Sequence, residues 1–380
     1  MKSKRVLVVG MLDSIHLARW VEQFKDSEIE LRILPSTYFR KVHPRLERIN
    51  GYRDKFRIPG LNLFGNIYGY VDYISTLSFL NHRLEKYIRV IFSRLYILFF
   101  RPDIIHAIEL QHAGYIASLL GKLVPRRIVT NWGSDIYFFQ HERGHKRKIT
   151  KTLSWATHYS AECQRDYLLA SSFGFKGINL PCIPNAGGFD MPIAQLKAAS
   201  DRNLILVKAY GGKFGLGKMA GNVIIEILKE FSDLEVHFYS VTRDLKDLIE
   251  KIQILYPDRV KFTTLENPLS HEDLMSLFAK ARIYLGCSRS DGLSTSFLQA
   301  VVTGAYPIQT NTSCAGELIL EGAIGSIVEP REDIIVNELR KVVTDWSHLN
   351  SAQNVNFIFA MENLNKEKIG RLARSYYDSK

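Results

Sequence analysis

The chain has 380 residues, of which 46% are apolar and 23% charged, the proportions of an ordinary globular protein. This length favours two domains of about 150–200 residues each. No apolar run reaches the roughly 18 residues of a membrane-spanning helix, and the first apolar stretch ends at Asp13, too early for a secretory leader. These features predict a cytoplasmic protein.

The positive charge lies in the first half of the sequence. Residues 1–190 carry 28 Lys and Arg against 16 Asp and Glu, whereas residues 191–380 carry 22 against 23. This asymmetry predicts an anionic partner, either nucleic acid, a membrane surface or a phosphorylated substrate, although a generally basic solvated surface explains it too. Because no recognisable nucleic-acid-binding module accompanies the charge, we expect no nucleic acid. The four cysteines form no Cys-x-x-Cys pair, and we expect no metal site.

The first half alternates between strand and helix patterns. Residues 5–10 form a continuous apolar run, typical of a strand buried on both faces, and residues 14–24 repeat apolar side chains at helical spacing. Three further strands and one helix are predicted, at residues 29–34, 103–106 and 127–130 for the strands and 114–123 for the helix.

Residues 36–101 do not fit this alternation. The segment is rich in Tyr, Phe and Arg, and its last part, residues 80–100, has helical periodicity. Basic side chains are interleaved there, namely Arg83, Lys86, Arg89 and Arg94. A basic, aromatic amphipathic helix can lie on an anionic membrane. A helix packed on the first sheet, with its basic residues in solvent, explains the pattern equally well, and both interpretations stay open.

The second half repeats the plan. Strands are predicted at residues 203–208, 235–239, 260–263, 283–287 and 306–310, and helices at 218–231, 244–255, 295–302 and 334–343. Ser270, followed three residues later by Asp273, marks another helix start in the manner of a capping box. Strands alternating with helices predict parallel, doubly wound α/β sheets. The turn-rich residues 184–201 are the predicted join between the domains.

Several common motifs are absent. Gly10 is not followed by Gly-x-x-Gly, which disfavours a dinucleotide-dependent dehydrogenase, and there is no phosphate-binding Gly-x-x-x-x-Gly-Lys-Ser/Thr loop. No two aspartates lie two positions apart, so the Asp-x-Asp pair that carries a divalent ion in many sugar-nucleotide enzymes is missing. What remains is the segment after residues 283–287, where a glycine and three hydroxyl residues precede a helix. Free backbone amides at such a turn can bind a phosphate.

This segment resembles the signature of the retaining GT-B glycosyltransferases of family 4, in which two glutamates flank seven residues. Asp291 stands at the first glutamate and Gln299 at the second. Lys208 and Lys213 are spaced like the arginine and lysine that clamp the donor diphosphate, with Lys208 in the place of the arginine. Similar positions recur along most of the chain outside residues 36–101, including the first loop with Gly10 and His16, the strand end at His106, the turn Trp132 to Asp135, Pro184-Asn185 and Glu317.

The resemblance implies a GT-B fold, with two Rossmann-like, doubly wound parallel-sheet domains facing across a cleft. The first domain, 1–190, would bind the acceptor and the second, 191–355, the donor, while a C-terminal helix over 356–380 would cross back to the first domain. The implied catalytic residues are Asp291, Lys208, Lys213 and Asp135. The implied donor-binding residues are Gly292, Leu293, Ser294, Thr295, Ser296, Gln299 and Leu265. The implied acceptor-side residues are Gly10, His16, His106 and Trp132.

The function implied is transfer of a sugar from a nucleoside-diphosphate sugar with retention of configuration, without a metal or other cofactor. The basic first domain suits a lipid-linked or anionic glycan acceptor, as in assembly of a surface polysaccharide, and a peripheral position on the inner face of the cell membrane. Gln299 cannot carry a charge, and Trp132 stands where many members have histidine. A catalytically inactive relative that binds sugar nucleotides is therefore the alternative. A GT-B-type epimerase is disfavoured by the context of Gly304 to Pro307.

Overall fold

The computed structural model describes residues 4–36, 42–47, 82–191 and 198–378. The chain divides into two compact units, one comprising residues up to 187 together with those from 370 onward, and the other residues 188–369. The expected single helix over 356–380 is instead two helices, which end and begin on either side of Leu364 and Asn365. Asn365 starts the second of them, because its Oδ1 accepts a hydrogen bond of 2.8 Å from the Lys368 amide.

The first unit contains a six-stranded parallel sheet. In chain order its elements are β1 Arg5–Gly10, α1 Ile15–Glu22, β2 Glu30–Pro35, α2 Pro44–Glu47, α3 His82–Phe100, β3 Ile104–Ile108, α4 Tyr115–Leu119, β4 Arg126–Thr130, α5 Ser134–Tyr137, α6 Arg143–Trp155, β5 His158–Ser160, α7 Gln164–Ser172 and β6 Ile178–Asn179. The strand order is β2-β1-β3-β4-β5-β6, and all neighbours are parallel. Alternate residues face opposite sides: Ile105 and Ala107 pack under α3, α4 and α6, and His106 faces Trp20.

The second unit has the same architecture. Its elements are β7 Leu204–Lys208, α8 Gly217–Glu230, β8 Glu235–Val241, α9 Arg243–Leu255, β9 Val260–Thr264, α10 His271–Lys280, β10 Ala281–Gly286, α11 Thr295–Thr303, β11 Tyr306–Thr310, α12 Ala315–Leu320, β12 Ser326–Val328, α13 Glu332–Thr344, α14 Trp346–Asn363 and α15 Lys366–Ser375, whose last residues belong to the first unit. The strand order is β12-β11-β10-β7-β8-β9, again parallel throughout.

Each sheet has one point at which successive crossovers leave in opposite directions. In the first unit this switch lies between β1 and β3, and in the second it lies between β7 and β10. The loops that leave the carboxyl ends of the two strands there diverge, and the crevice between them is where open α/β sheets bind ligands. The fold therefore singles out the loops after β7 and β10, and after β1 and β3.

The predicted alternation of strands and helices is confirmed, with ends that differ by one to three residues for most elements. Ser14 and Ser270 begin α1 and α10 as side-chain caps, accepting hydrogen bonds of 3.1 Å from the His16 amide and 3.0 Å from the Asp273 amide. The helix predicted over 114–123 is shorter, because a π-helical turn at Leu110–Gly114 precedes it and it ends at Leu119.

The segment with the two open interpretations is described only in part. Residue 80 and the side chains of Arg83, Lys86 and Arg89 lie outside the described residues, whereas α3 is helical to Phe100 and Arg94 is exposed. Across the described ranges, no helix combines the length and the apolar character that crossing a membrane requires.

Candidate functional site

The loops after β7 and β10 meet at the switch point of the second unit. The Arg289 amide donates to the Phe214 carbonyl at 2.7 Å, and the Leu216 amide donates to the Cys287 carbonyl at 3.1 Å. Gly215 and Ser288 form an isolated antiparallel bridge between these contacts. The two loops that the sequence predicts to hold the donor are thus joined by backbone hydrogen bonds.

The loop after β7 depends on glycine for its shape. A Cβ atom on Gly215 would lie 1.8 Å from the Tyr210 carbonyl oxygen, so no larger residue fits without moving the backbone. Gly212 has a φ of +65°, a left-handed conformation that favours glycine. Thr242 and Asp244, which follow β8, hold this loop by accepting hydrogen bonds from the amides of Gly211 and Gly212 at 3.0 and 3.3 Å.

The two lysines predicted to bind the diphosphate occupy this strand end and its loop. Lys208 is the last residue of β7, and its half-buried side chain places Nζ 6.0 Å from the centre of the Tyr210 ring. Lys213 lies at the exposed tip of the loop, next to Gly212. Both lysines are therefore beside the switch point, one fixed by a strand and the other carried by a glycine-rich turn.

The loop after β10 leads to the N-terminus of α11. Gly292, Leu293, Ser294 and Ser296 are buried, Thr295 is half-buried, and Ser294 is the residue that precedes the helix. The Ser294 side chain accepts no hydrogen bond from the first turn of α11. Because the first amides of a helix have no acceptor within the helix, this turn can bind an anion.

Asp291 is fixed between this turn and the start of α12. Its amide donates to the Thr312 carbonyl at 3.3 Å, and its Oδ1 accepts from the Gly292 amide at 2.9 Å. The Cys314 amide donates to the Gly292 carbonyl at 2.9 Å, which brings the beginning of α12, with Glu317 in its first turn, to the same place. The carboxylate remains half-exposed.

Two buried phenols lie beneath the α11 turn. Tyr239 on β8 and Tyr284 on β10 are close to Ser294 and Ser296. Burial raises the pKa of both hydroxyls, with smaller contributions from Tyr284 at Tyr239 and from the charge of Asp291 at both, so they remain neutral. The floor of the turn is therefore uncharged and polar.

The two remaining residues predicted to bind the donor, Gln299 and Leu265, lie outside the turn that begins α11. Gln299 is 3% exposed, and its Nε2 lies 3.5 Å from the Met275 sulfur of α10. Leu265 follows β9 with 47% of its surface exposed, and its amide donates to the Val241 carbonyl. Their contacts with the ribose and the base stay predictions.

In the first unit, the ends of β1 and β4 bring two predicted acceptor-side residues together. Gly10 is the buried last residue of β1, and a Cβ atom there would lie 2.9 Å from Leu17 Cδ1. The rings of His16 and Trp132 are in contact, with centroids 4.9 Å apart and planes inclined by 42°. Both side chains are half-buried, so they form an aromatic surface that ligands can reach in part.

Asp135 supports this surface from below. The carboxylate is buried, and its oxygens accept hydrogen bonds from the Leu110 amide and from the Trp132 amide, both at 2.8 Å. Burial, and then the charge of Glu109, raises the pKa of Asp135. Each oxygen of Asp135 accepts from a backbone amide and so positions the turn that carries Trp132, while its expected catalytic role stays a prediction.

His106 is placed differently from the expectation. It is 0% exposed, so it has no surface with which to contact an acceptor. Its Nδ1 lies 2.9 Å from the Tyr377 hydroxyl, which also accepts from Trp20 Nε1 at 2.9 Å, and its Nε2 lies 2.7 Å from Thr130 Oγ1. Each ring nitrogen of His106 therefore has a buried hydroxyl as its hydrogen-bond partner, in either tautomer. His106 is a residue of the core.

The sequence interpretation missed Glu109, the residue that follows β3 at the switch point of the first unit. Its φ of 92° is unusual for a residue other than glycine. The buried carboxylate compensates by accepting hydrogen bonds from three successive amides of the π-helical turn, those of Gln111, His112 and Ala113. An acidic residue directly after a buried strand was the available signal.

We expect acid to destabilise the first unit through His106. Burial lowers the pKa of its imidazole to about 3, whereas the unfolded chain takes up a proton below the ordinary value of 6.5. The free energy of unfolding therefore decreases as the pH falls from 6.5 towards 3, by about 1.4 kcal/mol per pH unit. Urea unfolding of the parent and of His106→Gln, compared across this window, measures the difference. If the free energy of unfolding falls equally steeply with pH in the parent and in His106→Gln, protonation of His106 does not cause the loss of stability.

Comparisons with known proteins agree with this architecture. The family model described as glycosyl transferase 4-like matches residues 72–159. No curated protein matches the sequence. Among solved structures, HepE from Anabaena in complex with UDP and glucose is 11% identical with a TM-score of 0.67, and 98% of each chain is covered. Sucrose-phosphate synthase from Thermosynechococcus elongatus is 11% identical with a TM-score of 0.68 over 98% of each chain.

A UDP-N-acetylglucosamine 2-epimerase is also similar, at 14% identity and a TM-score of 0.58, with 97% of this chain and 94% of that one covered. These likenesses extend over almost the whole chain, and they confirm the predicted GT-B fold. The resemblance to GT-B glycosyltransferases read from the sequence is confirmed as well.

Proposed function

We propose that this GT-B protein is a glycosyltransferase, which moves a sugar from a nucleoside-diphosphate sugar to an acceptor with retention of configuration. The observation that carries the proposal is the junction at the β7–β10 switch point. The glycine-rich loop after β7, with a lysine on each side of its start, is hydrogen-bonded there to residues 287–289, the beginning of the loop that leads to α11. Cations and free backbone amides on neighbouring loops at one edge of a sheet suit a diphosphate.

The chemistry follows from where negative charge develops. Cleavage of the donor's glycosidic bond leaves charge on the departing diphosphate, and preorganised donors lower the barrier by stabilising it. Lys208, Lys213 and the amides of Ser294 to Ser296 supply them in this proposal. Asp291 is the carboxylate that contacts the donor sugar, and Gln299 hydrogen-bonds the ribose.

A uridine nucleotide is the first donor to test. HepE is similar over 98% of both chains and has been solved with UDP-glucose. We propose that the acceptor binds the first unit, at the His16 and Trp132 surface, where an aromatic face suits a sugar ring. The excess of basic residues in that half of the sequence favours an acceptor that is a lipid-linked or anionic glycan, and a place at the inner face of the cell membrane.

The decisive experiment measures thermal stabilisation by a panel of nucleotide sugars, followed by transfer assays with the best ligand. A ligand at a hundred times its Kd stabilises the folded protein by about 2.7 kcal/mol. One nucleotide sugar and the matching free nucleoside diphosphate should both raise the melting temperature, and the nucleoside alone should not. Absence of any shift across the panel would reject the proposal.

Activity should not depend on a divalent metal, because no Asp-x-Asp pair occurs and two lysines are available to offset the diphosphate charge. Transfer measured with and without excess EDTA should be the same. Loss of transfer on chelation, restored by magnesium or manganese, would contradict this expectation.

The alternative is a catalytically inactive relative that binds the nucleotide sugar. It is favoured by Gln299, whose amide lies against Met275, and by Trp132 in place of a histidine. The two functions differ in one measurement, since the inactive relative shows donor stabilisation without transfer or donor hydrolysis.

A further inference from the structure

Helix α3 carries an apolar stripe on its outer side. Ile91, Leu95, Leu98 and Phe99 are 57%, 56%, 60% and 75% exposed. Their spacing of four, three and one residues places them within one arc of the helix. The opposite arc is buried by Val90, Ser93, Tyr96, Ile97 and Phe100. Among the side chains described from residue 90 onward, the helix is thus apolar on both sides, and packing against the sheet accounts for only one of them.

A basic surface lies beside this stripe. Helix α6 contains five Lys and Arg residues and no acidic residue, and Arg143, Lys146, Arg147 and Lys151 are exposed. Lys148 and Lys151 lie with Nζ 5.6 Å from the ring centre of Tyr115, on α4. The charge of α6 therefore extends towards α4.

Helix α4 joins the stripe to the basic surface. Arg94 of α3 donates to the Leu119 carbonyl at the end of α4 at 3.1 Å. Residues of α3, α4 and α6, such as Ile97, Ala117 and Leu153, pack in one core on the same side of the sheet. The three helices form one layer, whose outer surface is apolar on α3 and basic on α6.

The combination of an apolar stripe with a basic surface indicates which kind of partner binds this layer of helices. A nucleic acid would use the lysines but gains nothing from exposed leucine and phenylalanine side chains. Protein interfaces are depleted in lysine at their centres. A bilayer with anionic lipids uses both features, since apolar side chains enter the boundary of the acyl chains while basic ones contact the headgroups. Lysine and arginine reach that level with their long stems.

We propose that the outer surface of α3, α4 and α6 docks on an anionic lipid bilayer, with Ile91, Leu95, Leu98 and Phe99 inserted and the cations of α6 at the headgroups. The proposal extends the proposed function, which includes a lipid-linked acceptor. The test of bilayer docking needs no sugar transfer, so the docking proposal and the proposed function can each fail while the other holds.

The first test is co-sedimentation of the full chain with vesicles of phosphatidylcholine, alone or mixed with phosphatidylglycerol. Binding should require the anionic lipid and weaken with added salt. The double variant Leu95→Gln, Phe99→Gln should bind at least about tenfold more weakly, because its inserted side chains are polar. Arg147→Gln with Lys151→Gln should lower the preference for anionic vesicles.

Matched controls come from the second unit. Ile254 and Leu255 on α9 are 76% and 66% exposed, so Ile254→Gln with Leu255→Gln makes the same chemical change elsewhere and should bind like the parent. All these side chains are exposed, and unchanged melting temperatures check the fold. A second readout is Phe99→Trp, whose emission should shift to shorter wavelength on anionic vesicles, while Ile254→Trp should show no shift.

Three results would overturn the proposal. Equal binding to neutral vesicles, or no binding to either kind, removes the bilayer as occupant. Self-association in size-exclusion chromatography that Leu95→Gln, Phe99→Gln abolishes assigns the stripe to a second copy. Displacement of bound vesicles by RNA at stoichiometric amounts assigns the basic surface to nucleic acid.

Discussion

Replacing Lys213 with alanine should lower the rate of sugar transfer about a hundred- to thousandfold. The lysine lies on a glycine-rich loop that is hydrogen-bonded to the loop leading from β10 to α11, where charge on the departing diphosphate would grow in the proposed function. Removing one preorganised donor from such a site costs roughly 3–4 kcal/mol of transition-state stabilisation. The melting temperature should hardly change, because the side chain is exposed at the tip of its loop.

Steady-state kinetics of Lys213→Ala and of a matched control measure this effect. Lys229→Ala serves as the control, because Lys229 is an exposed lysine of the same unit, near the end of α8 and away from the loop. Its kinetics should equal those of the parent. If Lys213→Ala also turns over like the parent, the diphosphate is held elsewhere, and Lys218 at the start of α8 is the next residue to test.

Variants of Lys208 distinguish a role in binding the diphosphate from a purely structural role. Lys208→Ala should reduce turnover to a similar extent, whereas Lys208→Arg should be tolerated, because the glycosyltransferases that the sequence resembles usually have arginine there. A purely structural lysine at the end of β7 predicts the opposite pattern, in which losses of activity follow losses of thermal stability in both variants.

The strands and helices were predictable where apolar periodicity is continuous. Strand β1 could be predicted because it is buried on both faces and is apolar without interruption, and α1 because its buried residues recur at helical spacing. Strands β5, β6 and β12, of two or three residues, are too short for a period to show, and they are defined by their neighbours in the sheet. In α14 the apolar residues are spread around the helix, so no face marks it.

The features of the candidate site also fall into two groups, those that the local sequence predicts and those that it does not. Backbone features that follow strand ends, such as the glycine loop after β7 and the turn before α11, are encoded locally and could be read from the sequence. Whether a polar side chain is buried or reaches a ligand depends on residues that are distant in the sequence. The sequence around His106 is that of a strand-end ligand, but Trp20, Thr130 and Tyr377 enclose this side chain. Asp135 likewise accepts from the Leu110 amide, 25 residues away in the chain, a contact that its own neighbours in the sequence do not reveal.

The C-terminal residues should be essential to the stability of the first unit, and Tyr377 is the one that tests this. It is 1% exposed, its ring lies 4.8 Å from that of Phe24, and its hydroxyl links Trp20 to His106. The backbone carbonyl of Tyr377 accepts from Lys4 near the other end of the chain. One residue thus satisfies two buried polar groups and fills the space between α1 and β3.

Tyr377→Ala should lower the free energy of unfolding by about 3–5 kcal/mol, the usual cost of removing a large buried aromatic side chain. Tyr377→Phe keeps the ring but leaves Trp20 Nε1 and His106 Nδ1 without their partner, so it should cost less than the alanine variant, about 1–3 kcal/mol. Asp378→Ala is the matched control, because its exposed side chain is lost while the carbonyl that Arg126 contacts remains. Urea unfolding followed by tryptophan emission gives all three values. A Tyr377→Ala protein as stable as Asp378→Ala would mean that the C-terminal residues only cover the first unit and do not hold its core together.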